Sequence, residues 1–178
     1  MNGKNLLLVV DYQADFVDGA LGFPGAEQLD GPIAAKIAAY RERGDDVAFT
    51  LDTHGLDYPD TQEGRRLPVP HCLRETPGWA LYGQTGGALE PGRDKVVEKP
   101  AFPSLELGEW LRGQGYVRIE LVGLVSYLCV LSNAVVAKAA LPEAEIVIDA
   151  ACTAGPDPAL HEKALDLMEA LQMTVMNR

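Results

Sequence analysis

Short apolar runs alternate with helical patterns along nearly the whole chain, and this alternation constrains the fold more than any other feature. The sequence predicts strands at residues 6–10, 47–51, 96–98, 119–122, 146–148 and 174–176. Helices are predicted between them, at residues 32–43, 104–112, 132–140 and 159–171. Strands joined through helices form a parallel sheet that is covered on both faces. The sequence therefore predicts one doubly wound α/β domain over residues 1–178, with a six-stranded, mainly parallel sheet and helices on both faces.

Length, charge and cysteine content exclude several classes of protein. A chain of 178 residues fits one domain with a sizeable core. Its net charge of −11 is unsuited to a nucleic-acid partner, which requires a basic surface. The apolar run at residues 6–10 is too short for a signal peptide or a membrane span. The three cysteines show no disulfide-framework spacing, so we expect free thiols in a cytoplasmic protein without a membrane partner.

Cys129 lies where the strand at 119–122 turns into the helix at 132–140. Unpaired N–H groups and the helix dipole favour a thiolate at such a position. The same turn can direct backbone N–H groups at an oxyanion. Free cysteine is also often a small buried apolar residue, so this position alone leaves both interpretations open.

Polar residues follow the other strands of the predicted sheet. In an open parallel sheet, ligands bind beyond the carboxyl ends of the strands. A charged residue that ends a strand can also be a turn cap or a solvated surface group. The residues that follow the first, second, third and fifth strands are Asp11, Asp52, Lys99 and Asp149. We expect them to share one edge of the sheet with Cys129.

Cysteine-based acyl transfer needs such partners. Asp11 can accept the thiol proton and later deliver it to a leaving amine. Lys99 would stabilise the negative charge of both Asp11 and the thiolate. Backbone N–H groups of Val125 and Cys129 would bind the tetrahedral oxyanion. These roles predict a thioester intermediate that is then hydrolysed.

The long segment at residues 53–94 is rich in Gly and Pro and lacks clear periodicity, which is typical of a functional loop. Asp52 and His54 are alternate residues of an extended segment, so both side chains can reach one ion. His71 and one further carboxylate would complete a mixed nitrogen and oxygen set suited to zinc, iron or manganese. The alternative is that both histidines only form hydrogen bonds in the loop.

The other cysteines and the last histidine have plainer predicted roles. Cys72 adjoins His71, but neighbouring side chains in an extended segment point in opposite directions. We therefore predict that Cys72 is structural, and the same holds for Cys152. His161 lies on the helix at 159–171 and is predicted to be a solvated surface residue.

Several short segments together resemble the nicotinamidase branch of the isochorismatase-like cysteine hydrolases. They are Val-Asp-Tyr-Gln-Ala-Asp-Phe at 10–16, Asp-Thr-His at 52–54, Pro-His-Cys at 70–72, Glu-Lys-Pro-Ala-Phe at 98–102 and Gly-Leu-Val-Ser-Tyr-Leu-Cys-Val at 123–130. They occur in the family's order and span nearly the whole chain. The resemblance implies a Rossmann-like fold and a catalytic triad of Asp11, Lys99 and Cys129. It also implies a cis peptide just before Val125 that shapes the oxyanion hole.

The resemblance also implies a metal site on Asp52, His54 and His71. Nicotinamidases commonly carry another histidine shortly after the Asp-x-His segment, and this chain has only Asp57 and Asp60 there. Some relatives use a later glutamate, which makes Glu63 the expected fourth ligand. Zinc is the expected metal, with iron or manganese as alternatives.

The substrate pocket is expected to include Gln13, Phe16 and Tyr127. Phe16 matches an aromatic residue that flanks the pyridine ring in relatives, and Trp79 is a further candidate for the pocket or the core. Ser126 and Tyr127 replace the Thr-Asp pair that often precedes the family's cysteine. Tyr127 is therefore expected to alter the size of the pocket.

The expected activity is metal-dependent hydrolysis of nicotinamide to nicotinate and ammonia. Another small-amide or carbamoyl hydrolase with the same triad is the alternative. A third hypothesis is a non-catalytic metal-binding or ligand-binding protein. Members of the family assemble into dimers or tetramers, which leaves a homo-oligomer open.

Overall fold

A computed structural model describes residues 3–178 and contains one sheet of six parallel strands. The strand order is β3-β2-β1-β4-β5-β6, so β3 and β6 form the edges. The strands are β1 (Asn5–Val10), β2 (Asp46–Asp52), β3 (Lys95–Lys99), β4 (Arg118–Leu124), β5 (Glu145–Ala154) and β6 (Thr174–Met176). This topology confirms the predicted open, doubly wound α/β fold.

Helices connect the strands and cover the sheet. They are α1 (Ala14–Val17), α2 (Asp30–Glu42), α3 (Gln62–Arg66), α4 (Gly83–Gly87), α5 (Leu105–Arg112), α6 (Leu131–Ala140) and α7 (Pro158–Ala170). Ser104 caps α5 as its hydroxyl accepts the N–H of Leu107 at 3.1 Å. Nowhere in residues 3–178 is there a helix with the length and apolar character needed to cross a membrane.

The core has two apolar layers, one on each face of the sheet. Successive residues of β1 point to opposite faces, so Leu8 and Val10 join one layer and Leu7 and Val9 join the other. All four side chains are fully buried. Burial on both faces explains why the strands are continuous apolar runs rather than alternating ones.

Strand β5 is longer than the predicted strand at 146–148, and this changes the position of Asp149. The strand continues to Ala154, so Asp149 lies in its interior rather than at its end. Its carboxylate lies 2.6 Å from Lys36 Nζ on α2 and accepts hydrogen bonds from Asn177 and from the N–H of Ala151, each at 3.0 Å. The prediction that Asp149 shares the edge with Cys129 is therefore wrong.

The connection between β2 and β3 contains α3, α4 and two short 3₁₀ turns, Tyr58–Asp60 and Pro77–Trp79. It is anchored to the carboxyl edge of the sheet by two isolated β-bridges. One bridge joins His54 to Leu73, and the other joins Gln13 to Leu81. The loop that the sequence singled out therefore folds against the ends of β1 and β2.

Candidate active site

Neighbouring strands deliver the polar groups of the site to one edge. Asp11 follows β1, Asp52 ends β2 and Lys99 ends β3, with Asp52 and Lys99 paired in register. Cys129 lies in the turn that follows β4, which is the other neighbour of β1. The structure therefore brings together four of the residues that strand-end reasoning selected.

The ammonium of Lys99 is at the centre of the group. Its Nζ lies 2.6 Å from Asp11 Oδ2, 3.3 Å from Asp52 Oδ1 and 3.4 Å from Cys129 Sγ. It also donates to the carbonyl of Ala101 at 3.0 Å. Burial alone would lower the pKa of Lys99, but Asp11, Cys129 and Asp52 outweigh it and raise the pKa. The amine is therefore a buried cation that holds the other groups around it.

Asp11 is fully buried, and Lys99 and Thr50 contact its two carboxylate oxygens. The Thr50 hydroxyl donates to Oδ1 at 2.6 Å, and Lys99 Nζ lies at Oδ2. Burial and the nearby Asp52 carboxylate raise the pKa of Asp11, although Lys99 and Thr50 act in the opposite direction. Asp11 has a φ of 45°, a left-handed conformation that residues other than glycine rarely adopt and that is often found at functional sites.

Cys129 is only 3% exposed and lies in a π-helical turn, Ser126–Val130, that leads directly into α6. Burial raises the pKa of its thiol and Asp11 raises it further, while Lys99 opposes them. Burial therefore opposes the stabilisation of the thiolate that is expected from the helix end. A buried thiol with a raised pKa needs an adjacent base in order to react. Asp11 is that base.

The turn before α6 has the backbone geometry that the family resemblance implied. The Leu124–Val125 peptide is cis. The N–H groups of Leu128 and Val130 both donate to the carbonyl of Val125, at 3.0 and 3.2 Å. Val125 and Cys129, the predicted oxyanion donors, thus belong to one compact turn.

A second anchor for this turn is Asn133, which is fully buried on α6. Its side-chain amide donates to the carbonyls of Cys129 and Phe102, at 2.8 and 2.9 Å. Its carbonyl oxygen accepts the N–H of Ser104 at 3.1 Å. Asn133 therefore ties the cysteine turn to the segment that follows Lys99.

Beside the triad, Asp52, His54 and His71 form a buried group that can hold a metal ion. Their ligand atoms all lie within 4.8 Å of one another. Asp52 Oδ2 is 3.0 Å from His54 Nε2 and 3.3 Å from His71 Nε2. Glu63 Oε1 lies 3.8 Å from each of the same two nitrogens.

Two features of these residues suit a cation. The Nδ1 of His71 hydrogen-bonds the carbonyl of Val69 at 2.8 Å, which directs a free Nε2 towards Asp52. Glu63 Oε1 is buried and has no hydrogen-bond partner within residues 3–178. A cation between these atoms would satisfy both groups, and two imidazoles with carboxylates are a zinc-type donor set. The alternative fourth ligands, Asp57 and Asp60, are exposed.

Gln13 supports the end of β2 in this structure. The side chain is fully buried, and its amide nitrogen donates to the carbonyls of Asp52 and Trp79, at 2.9 and 2.7 Å. Its oxygen accepts the N–H of Asp52 at 2.7 Å. Gln13 therefore fixes the backbone of Asp52. Its contact with a substrate stays a prediction.

Phe16 contacts a possible metal ligand, and Tyr127 belongs to the turn that carries Cys129. The Phe16 ring is 5.5 Å from the His71 ring, next to the possible metal ligands. Tyr127 is half-buried and packs against Gly155, where an added Cβ would come within 2.4 Å of the tyrosine ring. Contact of either ring with a substrate stays a prediction. The Trp79 indole donates to Thr53 Oγ1 at 2.8 Å, which fixes it beside the Asp52–His54 segment.

Sequence reasoning missed three residues that support the site. Thr50 is two residues before Asp52 on the same strand face, and Asn133 is one helical turn after Cys129, so spacing could have suggested both. His161 was predicted to be solvated but is half-buried, and its Nδ1 lies 2.9 Å from Ser126 Oγ. No local pattern indicates that contact, because the two residues belong to different elements.

A parallel α/β sheet that presents a buried cysteine, a lysine and an aspartate in contact at its carboxyl edge defines a cysteine-hydrolase type of fold and site. The chain belongs to the isochorismatase family, because the isochorismatase domain matches residues 5–178. Streptothricin hydrolase from Streptomyces noursei is 32% identical over 132 residues, which are 72% of this chain and 46% of that protein. The chain therefore spans less than half the length of this relative.

Solved structures of this family resemble the chain over nearly its full length. The nicotinamidase/pyrazinamidase from Bacillus subtilis is 31% identical, with 97% of this chain and 98% of that chain covered and a TM-score of 0.86. The pyrazinamidase from Pyrococcus horikoshii in complex with zinc is 26% identical, with 98% and 99% covered and a TM-score of 0.84. The N-carbamoylsarcosine amidase from Thermoplasma acidophilum is 27% identical, with 97% and 95% covered and a TM-score of 0.80.

Proposed function

We propose that this protein is a metal-dependent nicotinamidase, which hydrolyses nicotinamide to nicotinate and ammonia through a thioester on Cys129. One observation carries the proposal: the Asp52 carboxylate joins the triad to the histidine pair. Its Oδ1 lies 3.3 Å from Lys99 Nζ, while its Oδ2 faces His54 and His71 at 3.0 and 3.3 Å. A ring held at the histidines would thus lie beside the nucleophile.

Asp52, His54, Glu63 and His71 would hold the ion, with zinc as the first candidate and iron or manganese as alternatives. When bound, the ion would accept the pyridine nitrogen, directly or through water, and so orient the carboxamide. Two observations support this assignment. Glu63 Oε1 has no hydrogen-bond partner in the described part of the chain, and the similar pyrazinamidase from Pyrococcus horikoshii was solved in complex with zinc.

The residues of the chain would carry the acylation step. As the sulfur of Cys129 bonds to the amide carbon, its proton passes to Asp11, and Lys99 stabilises the charge on both groups. The N–H groups of Val125 and Cys129 would bind the oxyanion. Asp11 then returns the proton to the amide nitrogen, the carbon–nitrogen bond breaks, and ammonia leaves a thioester.

Deacylation would use the same groups in reverse order. Asp11 takes a proton from a water molecule as the water oxygen attacks the thioester carbon. The carbon–sulfur bond breaks, nicotinate is released, and Asp11 returns the proton to Cys129. Burial raises the pKa of Asp11, which makes its carboxylate a stronger base.

A second candidate is a hydrolase of another small amide or of a carbamoyl compound, with the same triad. Tyr127 favours it, because this half-buried ring lies in the same turn as Cys129 and is expected to alter the size of the pocket. Likeness to the N-carbamoylsarcosine amidase and to streptothricin hydrolase adds support. A non-catalytic binding protein is the weaker alternative, because it would not need Asp11, Lys99 and Cys129 in contact.

Ammonia release distinguishes these candidates. Metal-replete protein would be assayed for ammonia release from nicotinamide and N-carbamoylsarcosine and, by chromatography, for consumption of streptothricin, with Cys129→Ala as the blank. We expect turnover of nicotinamide in preference to the other two. Turnover of a carbamoyl compound alone would replace the proposed substrate class, and no turnover in a broad amide screen would support the binding protein.

A further inference from the structure

The hydroxyl of Ser126 is fully buried and lies next to the predicted oxyanion donor Val125. Ser126 directly follows Val125 and begins the turn that ends just after Cys129. Within residues 3–178 its Oγ has one hydrogen-bond partner, His161 Nδ1, at 2.9 Å. Loss of that partner would leave a buried polar group unsatisfied, which a folded protein avoids by moving the backbone or admitting water.

His161 reaches this hydroxyl from α7, an element that carries no other group of the site. The first turn of α7 is fixed by Asp157, whose Oδ1 accepts the N–H groups of Ala159 and Leu160 at 2.8 and 3.1 Å. The N–H of His161 itself donates to the Asp157 carbonyl at 3.0 Å. The imidazole is thus presented from a capped, rigid helix end.

We propose that His161 is a positioning residue that acts through Ser126 to fix the turn carrying the oxyanion donors Val125 and Cys129. This inference rests on the proposed acyl chemistry at Cys129, but not on nicotinamide as the substrate. Misplacement of a catalytic group by about 1 Å can cost about 100-fold in rate. A hydrogen bond that fixes Ser126 therefore contributes to rate without contacting the substrate.

The surroundings of His161 keep the imidazole neutral. Burial lowers its pKa, and Arg178 lowers it further, while Glu162 acts in the opposite direction. The Nδ1 of a neutral ring can accept a hydrogen bond from the serine hydroxyl, which gives the hydroxyl a definite orientation. The contact is therefore compatible with a role near neutral pH.

Two reactions of Cys129 separate positioning of the oxyanion donors from damage to the nucleophile. Acylation by p-nitrophenyl acetate bonds the sulfur to the carbonyl carbon, passes through an oxyanion and releases p-nitrophenolate. Alkylation by iodoacetamide displaces iodide and forms no oxyanion. Both rates would be measured for His161→Leu, His161→Asn and Ser126→Ala, with Cys129→Ala as the blank and the exposed Lys163→Ala on α7 as the matched control.

We expect His161→Leu and Ser126→Ala to acylate about tenfold more slowly than the wild type, with the rate of alkylation unchanged. His161→Asn places a polar atom near the position of Nδ1 and should recover most of the acylation rate. This variant also keeps the test possible if the leucine variant does not fold. The double variant that combines His161→Leu with Ser126→Ala should acylate no more slowly than either single variant, because each substitution removes the same contact.

Other outcomes would overturn the proposal. Acylation that is equally fast in all variants, or undetectable in the wild type above the blank, contradicts it. A parallel loss of acylation and alkylation would show that the pair only supports the fold. If nicotinamide is not hydrolysed but the acylation pattern holds, the proposed substrate is wrong and the positioning role stands.

Discussion

Lys99 and Asp52 face each other in register on β3 and β2, and their side chains meet at the end of the sheet with Nζ 3.3 Å from Oδ1. Burial would raise the pKa of Asp52, but hydrogen bonds from His54 and His71 and the charge of Lys99 hold it well below its usual range. One ionised carboxylate is therefore shared by the triad cation and the histidine pair. A substitution in either group should therefore alter the electrostatic environment of the other.

The sulfur of Cys129 is predicted to be indispensable for turnover. Cys129→Ala should lower the turnover number by about 10⁴-fold or more, because no other group can form the thioester. Bound metal, measured by elemental analysis, should not change. Cys152→Ala is the matched control, since Cys152 is also buried but lies in the opposite core layer, and it should retain activity. An active Cys129→Ala enzyme would disprove the mechanism.

Thr50 is predicted to set the acid limb of the pH profile. Its hydroxyl lowers the pKa of Asp11 by donating to Oδ1, so Thr50→Val should raise that pKa further. Asp11 must be ionised to accept the thiol proton, and activity is therefore lost as the pH falls through its pKa. The acid limb of kcat/KM should move to higher pH in Thr50→Val.

The control for this experiment is Thr153→Val, which removes a buried hydroxyl that donates to the carbonyl of Gly123 at 2.8 Å rather than to Asp11. It should lower stability without moving the limb. A Thr50→Val profile that coincides with the wild type would show that the limb belongs to another group.

Glu63 is predicted to be the fourth metal ligand. Glu63→Gln should weaken metal binding by at least about tenfold, the cost seen when even an outer-shell partner is removed. Asp57→Asn and Asp60→Asn are matched controls, because both carboxylates are exposed and each removes one charge from the same loop. Metal titration with a fluorescent competitor measures all three. Equal loss in the three variants would indicate a general charge effect instead of a ligand.

Asp149 is predicted to stabilise the fold and not the chemistry. Burial opposes its ionisation, but Lys36, Asn177 and the N–H of Ala151 outweigh burial and lower its pKa. The ionised Asp149 therefore stabilises the fold at pH values above its pKa in the unfolded chain, about 4. This stabilisation is lost as the pH falls through its lower pKa in the folded protein. Asp149→Asn should lower the free energy of unfolding by about 2 kcal/mol at pH 7, because Lys36 keeps a second partner in Glu120.

Urea unfolding at pH 7 and at pH 3 tests this prediction. The difference in unfolding free energy between Asp149→Asn and the wild type should shrink in acid, and kcat should not change at either pH where the protein is folded. A difference that is independent of pH would mean that the ion pair with Lys36 contributes nothing.

The fold and the grouping of Asp11, Lys99 and Cys129 could be predicted because each depends on a local signal. Apolar runs mark the strands, and polar residues that end them mark the functional edge, as Asp11 and Lys99 do. Asp149 followed the same rule and failed, because β5 runs on to Ala154 beyond its apolar run. Strand length depends on pairing with β4, and that pairing is not written in the residues of β5.

The side chains that support the site were harder to predict. Gln13 lies two residues after Asp11 but contacts backbone groups of two distant segments, at Asp52 and Trp79. His161 looks like any polar residue on an amphipathic helix until α7 is packed against the cysteine turn. Such contacts join positions far apart in the chain, and neither spacing nor composition carries that information.

The active site takes one part from the end of each of four adjacent strands, β3, β2, β1 and β4. No single segment of residues 3–178 contains the whole site, so we expect the site to form late in folding, after the strands have paired. Every pairing among these strands is parallel and non-local, and such contacts form slowly because long loops must close first. During refolding, recovery of turnover should therefore lag behind the return of helical signal and coincide with completion of the sheet.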